Sequence, residues 1–311
     1  MTYRDNDFVS DLLLRCQKLE KSIALPEISD HRVWTAASKL ISQKAVKFIH
    51  TSHLRDDVIS LCTGFGVDFA TYEPMLRFLD QKSEEPAIVT AGRLLNEGQV
   101  DAALAGAVST TAEVIRATIS TIGLAPGNKT VSGAFLMHRD SDNQTFLFAD
   151  SGVVIDPTED QMLDIARCSV ETWKKIGDGT PPSVAFLSFS TKGSAVHPLA
   201  TKVSSAASKF KSLYPDITSS GELQFDAALI PEIGQRKCPG DPVAGKANIF
   251  IFPDLNSGNI GYKIAQYLGG FQAFGPILQG ANKPYSDLSR GASVEDIMVS
   301  AYINIIRSED V

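Results

Sequence analysis

The sequence predicts an α/β protein of two domains with mainly parallel sheets, and three observations carry that reading. Short β-rich runs alternate with amphipathic helices through most of the chain, the pattern of strand–helix–strand units. The run Ala247–Phe252 (ANIFIF) is apolar almost throughout, as a strand covered on both faces must be. The chain has 311 residues, more than the ~250–300 at which single cores stop growing, and the turn-rich Gly123–Lys129 (GLAPGNK) is a natural place to divide it.

Taken in order, Ser22–Glu27 (SIALPE) reads as a strand and Arg32–Ile41 as the helix after it. Ala45–His50 is a second strand, followed by a helix over Leu54–Cys62. Ala87–Leu95 reads as helix, Ala102–Ala107 as strand and Thr111–Ile122 as helix. Past the boundary, Ala134–His138 and Thr145–Ala149 read as adjacent strands joined through Arg139–Asn143. Thr158 opens a long helix, because Thr-Glu-Asp-Gln is a capping box in which hydroxyl and amide satisfy orphan N–H groups reciprocally. Ser183–Ser190 is a strand, Leu199–Leu213 a helix, and Ile260–Leu268 a helix after the ANIFIF strand. The last helix, Val294–Ile306, sets Val294, Ile297, Met298, Ala301 and Ile305 on one face at helical spacing.

Composition argues against several classes. A net charge of −7 gives no support to a nucleic-acid or anionic-membrane surface, though local positive clusters could bind small anions. The four cysteines, Cys16, Cys62, Cys168 and Cys238, form no CxxC pair, so neither a disulfide framework nor a zinc site is indicated. His50 and His53 are the closest histidine pair and read better as loop or helix-edge residues than as metal ligands. The polar start Met-Thr-Tyr-Arg-Asp-Asn-Asp is unlike a signal peptide, and no apolar run approaches the ~18–20 residues of a membrane span. A cytoplasmic protein is expected.

Five segments beside the strands are rich in Gly, Ser, Asn and charge. In Gly106–Arg116 (GAVSTTAEVIR), Ser109, Thr110 and Thr111 lead into a helix whose amides can bind an anion, with Arg116 beyond them; an N-cap cluster with a surface arginine is the plainer account. Ser188–Ser194 (SFSTKGS) offers Ser190, Thr191 and Lys192 for a phosphate or pantetheine, or is an ordinary connection. Pro239–Asn248 (PGDPVAGKAN) reads as a rigid turn. Asp254–Lys263 (DLNSGNIGYK) reads as a loop in which Asn256, Ser257, Gly258 and Asn259 supply donors ahead of a helix. It lacks the P-loop pattern, and no GxGxxG run follows a strand. The fifth, Gly280–Asp296 (GANKPYSDLSRGASVED), puts Ser289 and Arg290 in a turn closed by Gly291, with Ser293 and Asp296 placed as a helix cap. Capping accounts for Ser293 and Asp296 but not for the adjacent Ser-Arg.

Together, GAVSTTAEVIR, FSTKGSA, FDAAL-IPEIG, PVAGKANIFIFPDLNSGNIGYK and QGANKP-DLSRGASVEDI resemble the phosphotransacetylase family (phosphate acetyltransferases and phosphate butyryltransferases) in order and spacing from Lys21 to Ile306. The resemblance implies two α/β domains with the active site in the cleft between them: residues 1–126 with 282–311, completed by the C-terminal helix, and 127–281, expected to carry a homodimer contact. It implies reversible exchange of acetyl-CoA and phosphate for CoA and acetyl phosphate, with no metal or redox cofactor. Ser289, Arg290 and Asp296 match the family's catalytic serine, arginine and aspartate. In those roles Asp296 takes the proton from the CoA thiol, Arg290 grips the phosphoryl oxygens and Ser289 donates to the developing charge. Ser289 has no evident base of its own, so direct transfer in a ternary complex is expected rather than an acyl-enzyme. Arg116 matches a substrate-binding arginine and Arg77 stands nearest a second, in a stretch (MLRFLDQK) where the family is usually richer in Lys and His. Tyr285 and Ser286 replace the usual Val-Asn, and Asp241 a usual Ser, changes that could tune acyl specificity or phosphate affinity.

Three rivals remain at this level. A phosphate butyryltransferase differs only in pocket volume. A non-catalytic acyl-CoA-sensing module is disfavoured by the intact Ser289, Arg290 and Asp296. The two-lobed architecture also resembles isocitrate/isopropylmalate dehydrogenase-like enzymes, whose metal-binding Asp cluster is not evident.

Overall fold

A computed structural model describes residues 7–309, and the polar N-terminal residues 1–6 lie outside them. The chain divides into two compact units, Met1–Pro126 with Ala281–Val311, and Gly127–Gly280.

The first unit opens with α1 (Asp7–Leu19), β1 (Ile23–Ala24), α2 (His31–Ser42), β2 (Ile49–Leu54), α3 (Arg55–Gly64), the single turn α4 (Phe69–Tyr72), β3 (Leu76–Leu79), α5 (Ala87–Asn96), β4 (Ala102–Ala105) and α6 (Thr111–Thr121). Helix α2 begins where the Asp30 side chain accepts from the Arg32 N–H, and it buries Val33, Trp34, Ala36, Ala37 and Leu40, an apolar stripe at helical spacing. The expected strand Ala45–His50 is displaced to Ile49–Leu54. Gln43, Lys44 and Ala45 turn back and donate to the last carbonyls of α2, so buried Ala45 and Val46 close a helix end instead of joining the sheet. Strand β3 has no counterpart in the sequence reading, being short and at the sheet edge.

The second unit runs β5 (Ser132–Arg139), β6 (Gln144–Ala149), α7 (Glu159–Ile176), β7 (Ser183–Leu187), α8 (Pro198–Leu213), β8 (Thr218–Leu223), α9 (Phe225–Leu229), α10 (Pro231–Lys237), β9 (Ile249–Ile251), α11 (Leu255–Tyr267) and β10 (Gln272–Gln279). Its sheet has the order β10-β5-β6-β9-β7-β8, antiparallel across β10, β5 and β6 and parallel from β6 to β8. The β5–β6 hairpin and the Thr158–Gln161 capping box form as the sequence requires. Apolar side chains of the sheet and of the Val243–Ala247 turn, Phe135, Phe148, Leu187, Val243 and Phe250 among them, make one core.

The stretch read as a loop over Asp254–Lys263 is instead helix from Leu255 onward. Asp254 caps it by accepting the Ser257 N–H at 2.9 Å. Gly258, expected to supply a ligand donor, is a contact residue: a Cβ there would lie 2.2 Å from the Asp150 carbonyl oxygen.

The chain then returns to the first unit as β11 (Tyr285–Asp287) and α12 (Val294–Arg307). Strand β11 pairs with β4, giving a fully parallel sheet in the order β11-β4-β1-β2-β3. Helix α12 buries Ile297 to Ile306 without a break. Its buried Asn304 accepts from Ser286 Oγ at 2.7 Å and donates to the Ala103 carbonyl at 3.5 Å, which ties helix, β11 and β4 together.

Candidate active site

Strands β11, β4 and β1 are neighbours in the first sheet, so the loops leaving their carboxyl ends meet, as functional loops do in parallel sheets. They are Leu288–Ser293, Gly106–Thr110 and Leu25–Asp30. Gly106 allows this approach: its φ is +110°, and a Cβ there would lie 2.3 Å from Asp287 Oδ1 and 2.6 Å from the Leu288 nitrogen.

Ser289 and Arg290 sit exposed in a tight turn. The Ala292 N–H donates to the Ser289 carbonyl at 2.9 Å and the Gly291 N–H to Ser289 Oγ at 3.2 Å. Among the described residues the Arg290 guanidinium donates no hydrogen bond and joins no ion pair, so its fork is left to an oxyanion. Ser293 caps α12: its N–H and hydroxyl donate to Asp296 Oδ2 at 2.9 and 2.8 Å, and the Asp296 N–H donates back at 3.1 Å. The anticipated cap is therefore real, and the candidate base is oriented by it.

Thr110 builds a second capping box with Glu113, donating to Glu113 Oε2 from its N–H at 2.8 Å and its hydroxyl at 2.7 Å. These bonds first, and then the charges of Arg116 and Arg290, hold the Glu113 carboxyl below its usual range. The Glu113 carboxylate on the first turn of α6 thus feels the charge of both arginines.

The amides of the β4–α6 loop ahead of that helix are taken up inside the protein. The N–H groups of Gly106, Ala107 and Val108 donate to Glu27 Oε2 at 2.8, 2.7 and 3.3 Å, and that of Ser109 to Oε1 at 2.7 Å. The anion in this concavity is the protein's own buried Glu27. Thr111 is likewise committed, its hydroxyl donating to Asp287 Oδ2 at 2.6 Å. Burial pushes the Asp287 carboxyl up to about 6, opposed by the Thr111 and Leu288 hydrogen bonds and reinforced by Glu27. Glu27, Asp30, Arg32, Glu113 and Asp287 went unremarked in the sequence; the local signals were an acidic residue just past an apolar strand in SIALPE and the capping-box spacing of Thr110 and Glu113.

Arg77 is not brought to this cluster. It lies on β3, four strand spacings from β11, about 19 Å at ~4.8 Å each. Its guanidinium donates to the carbonyls of Pro74 and Leu76 at 3.1 and 2.7 Å and covers the Phe48 ring. Tyr285 and Ser286 are buried, the Tyr285 hydroxyl donating to the Ile88 carbonyl at 2.8 Å, so both side chains are committed to packing.

In the second unit, Lys192 Nζ donates to Ser220 Oγ at 2.7 Å and pairs with Asp241 at 3.1 Å. Burial alone would raise the Asp241 carboxyl, but bonds from Ser220 and Val243 and the Lys192 charge hold it low. Asp241 is thus the counter-ion of Lys192. Ser257 Oγ donates to the Asp254 carbonyl at 2.8 Å and Asn259 Nδ2 to the Ser151 carbonyl at 3.2 Å, while Asn256 is exposed on the first turn of α11.

A Paracoccus denitrificans protein described as phosphate acetyltransferase is 44% identical over 312 residues, covering 94% of this chain and 96% of its own. The crystal structure of a phosphotransacetylase from Streptococcus pyogenes superposes with a TM-score of 0.89 at 36% identity over 99% of both chains. A Salmonella typhimurium structure described as a 4-hydroxythreonine-4-phosphate dehydrogenase shares the fold alone, at 12% identity, a TM-score of 0.55, and coverage of 92% of this chain and 98% of that one. Residues 77–305, which include Arg116, Ser289, Arg290 and Asp296, match the family model described as phosphate acetyl/butaryl transferase, and the chain belongs to that family.

Proposed function

We infer that this chain is a phosphate acetyltransferase, exchanging acetyl-CoA and phosphate for CoA and acetyl phosphate. The observation that carries the reading is the exposed Arg290 guanidinium, without a hydrogen bond or ion pair among the described residues, on a turn one helix cap away from Asp296. Arg290 takes the phosphoryl oxygens in its planar fork, and Arg116, whose charge acts with that of Arg290 on Glu113, takes a phosphate of CoA or of the second substrate. Asp296 accepts the thiol proton, and the resulting thiolate attacks the carbonyl carbon of acetyl phosphate. The carbonyl oxygen gains charge, with the Ser289 hydroxyl as its donor. The carbon–oxygen bond to phosphate then breaks, a carbon–sulfur bond is in place, and phosphate leaves on Arg290. No step needs a covalent acyl-enzyme or a redox group.

Ser109, Thr110 and Thr111 serve this site mainly by fixing its loop, since their amides or hydroxyls bond to Glu27, Glu113 and Asp287. Lys192, Ser257, Gly258 and Asn259 are binding candidates with internal partners; Lys192 and Asn256 are the exposed ones of the group. We also assign the enzyme to the cytoplasm, where its acyl-CoA substrate is drawn on, and to a homodimer. The exposed Ile260, Ile264, Tyr267 and Leu268 on and after α11 support the second assignment, because an apolar stripe of that size suits a partner surface.

The test is release of free thiol from acetyl-CoA by purified protein. Release should require added phosphate, and acetyl-CoA should outpace butyryl-CoA. Arg290→Gln should lower kcat roughly 10²–10³-fold and raise the phosphate requirement. Binding of acetyl-CoA with no phosphate-dependent thiol release would remove the enzymatic reading.

A further inference from the structure

We propose that Arg32, fixed by Asp30, is a positioning residue for acyl transfer that sets the Ser289–Arg290 turn against the β4–α6 loop. The proposal rests on the phosphate acetyltransferase reading and adds a residue to it. A guanidinium has five N–H donors in a rigid fork, and Arg32 uses all of them. Nε and one Nη2 hydrogen go to Asp30 Oδ1 and Oδ2 at 3.1 and 2.8 Å, which locks the plane. The two Nη1 donors reach the carbonyls of Arg290 and Ala292 at 2.8 and 2.9 Å, and the remaining Nη2 donor reaches the Ala107 carbonyl at 3.0 Å.

Two features separate this from an incidental surface arginine. One of the carbonyls held belongs to Arg290 itself, so a shift of that bond moves the residue proposed to grip phosphate. Among the described residues, moreover, the hydrogen bonds from the Ser289–Ala292 backbone to distant segments all run to Arg32. The same short segment after β1 holds the opposite loop from both sides, Glu27 taking its amides and Arg32 its carbonyl. Catalysis by placement is sensitive to such ties, and a displacement of about 1 Å can cost about 10²-fold in rate.

Arg32→Ala and Arg32→Lys would be compared with the wild type for kcat, for KM of CoA and of acetyl phosphate, and for melting temperature, with and without millimolar guanidinium. Folded Arg32→Ala should lose about 10²-fold in kcat with a much smaller change in KM for CoA, and guanidinium should restore part of the loss. Arg32→Lys should stay low, because an ammonium cannot span three carbonyls in one plane. Retention of kcat within about threefold in folded Arg32→Ala, or failure of guanidinium to restore it, overturns the proposal. Should Arg32→Ala not fold, Arg32→Lys decides: wild-type kcat overturns the proposal and a lowered kcat supports it. A wild type that makes no acetyl-CoA from acetyl phosphate refutes the underlying reading instead.

Discussion

Asp296 performs two tasks with one carboxylate, capping α12 through Oδ2 and serving as the proposed base. Substitution by Asn separates them. The amide oxygen can still accept from Ser293, so the cap bonds are kept and stability should change by no more than about 0.5 kcal/mol. The amide cannot take a proton from sulfur, so kcat should fall about 10²–10⁴-fold. Kinetics beside a denaturant melt check both, and an unchanged kcat would move the base elsewhere. A second pair of residues makes stability depend on pH with opposite signs. Burial, aided by the Arg77 and Arg93 charges and opposed by Asp80, pushes His50 down to about 4. The unfolded chain then binds the proton more readily, and stability is lost as pH falls from ~6.5 towards 4. Asp287, pushed up to about 6, does the reverse: its folded form binds the proton more tightly, and its contribution is lost as pH rises from ~4 through 6. Each contribution is on the order of 3 kcal/mol, so they largely cancel in the wild type. Denaturant midpoints from pH 4 to 7 should show Asp287→Asn more acid-labile than wild type and His50→Gln less so; parallel profiles for all three would contradict both assignments.

At the scale of elements, legibility followed locality. Thr158 with Gln161 and Ser293 with Asp296 formed the caps read from the chain, because a capping box is complete within four residues and needs nothing distant. Strands such as Ser183–Leu187 declared themselves by apolar character, which burial on both faces demands. The polar strand β8 (TSSGEL) gave no such signal, and β10, interrupted by Gly275 and Pro276, could be a strand only at a sheet edge where a missing N–H is tolerated. The Asn256–Asn259 stretch looked like a loop because its residues favour turns; the Asp254 cap and the contact under Gly258 overrode that preference. In the site, Ser289, Arg290 and Asp296 were legible because they lie in one run. Glu27 and Arg32 were not, since the loops they tie lie 79 to 82 residues away for Glu27 and 75 and 258 to 260 for Arg32. Only the parallel order β11-β4-β1 brings those partners together.

At the scale of the molecule, the two units differ in how their sheets are completed. The second unit contains every strand of its own sheet within one unbroken stretch, Gly127–Gly280, along with its own core. The first unit depends on a returning segment: β11 is the edge strand beside β4, and α12 covers the sheet with ten consecutive buried residues, Ile297 to Ile306. A fully buried Ile or Met contributes about 1.5–3 kcal/mol, so Ile297, Met298, Ile303, Ile305 and Ile306 together contribute about 8–15 kcal/mol. That matches the whole stability of a typical domain, about 5–15 kcal/mol. A chain ending at Gly280 should therefore lose the first unit and keep the second. The fragment Gly127–Gly280 alone should give dispersed amide resonances and one cooperative melt. Limited proteolysis of the shortened chain should leave a resistant core starting near Gly127, with residues 7–126 degraded. Persistence of a resistant 7–126 core would mean that the first sheet is stable without β11 and α12, and that the turn carrying Ser289 and Arg290 is an addition to that unit rather than part of its frame.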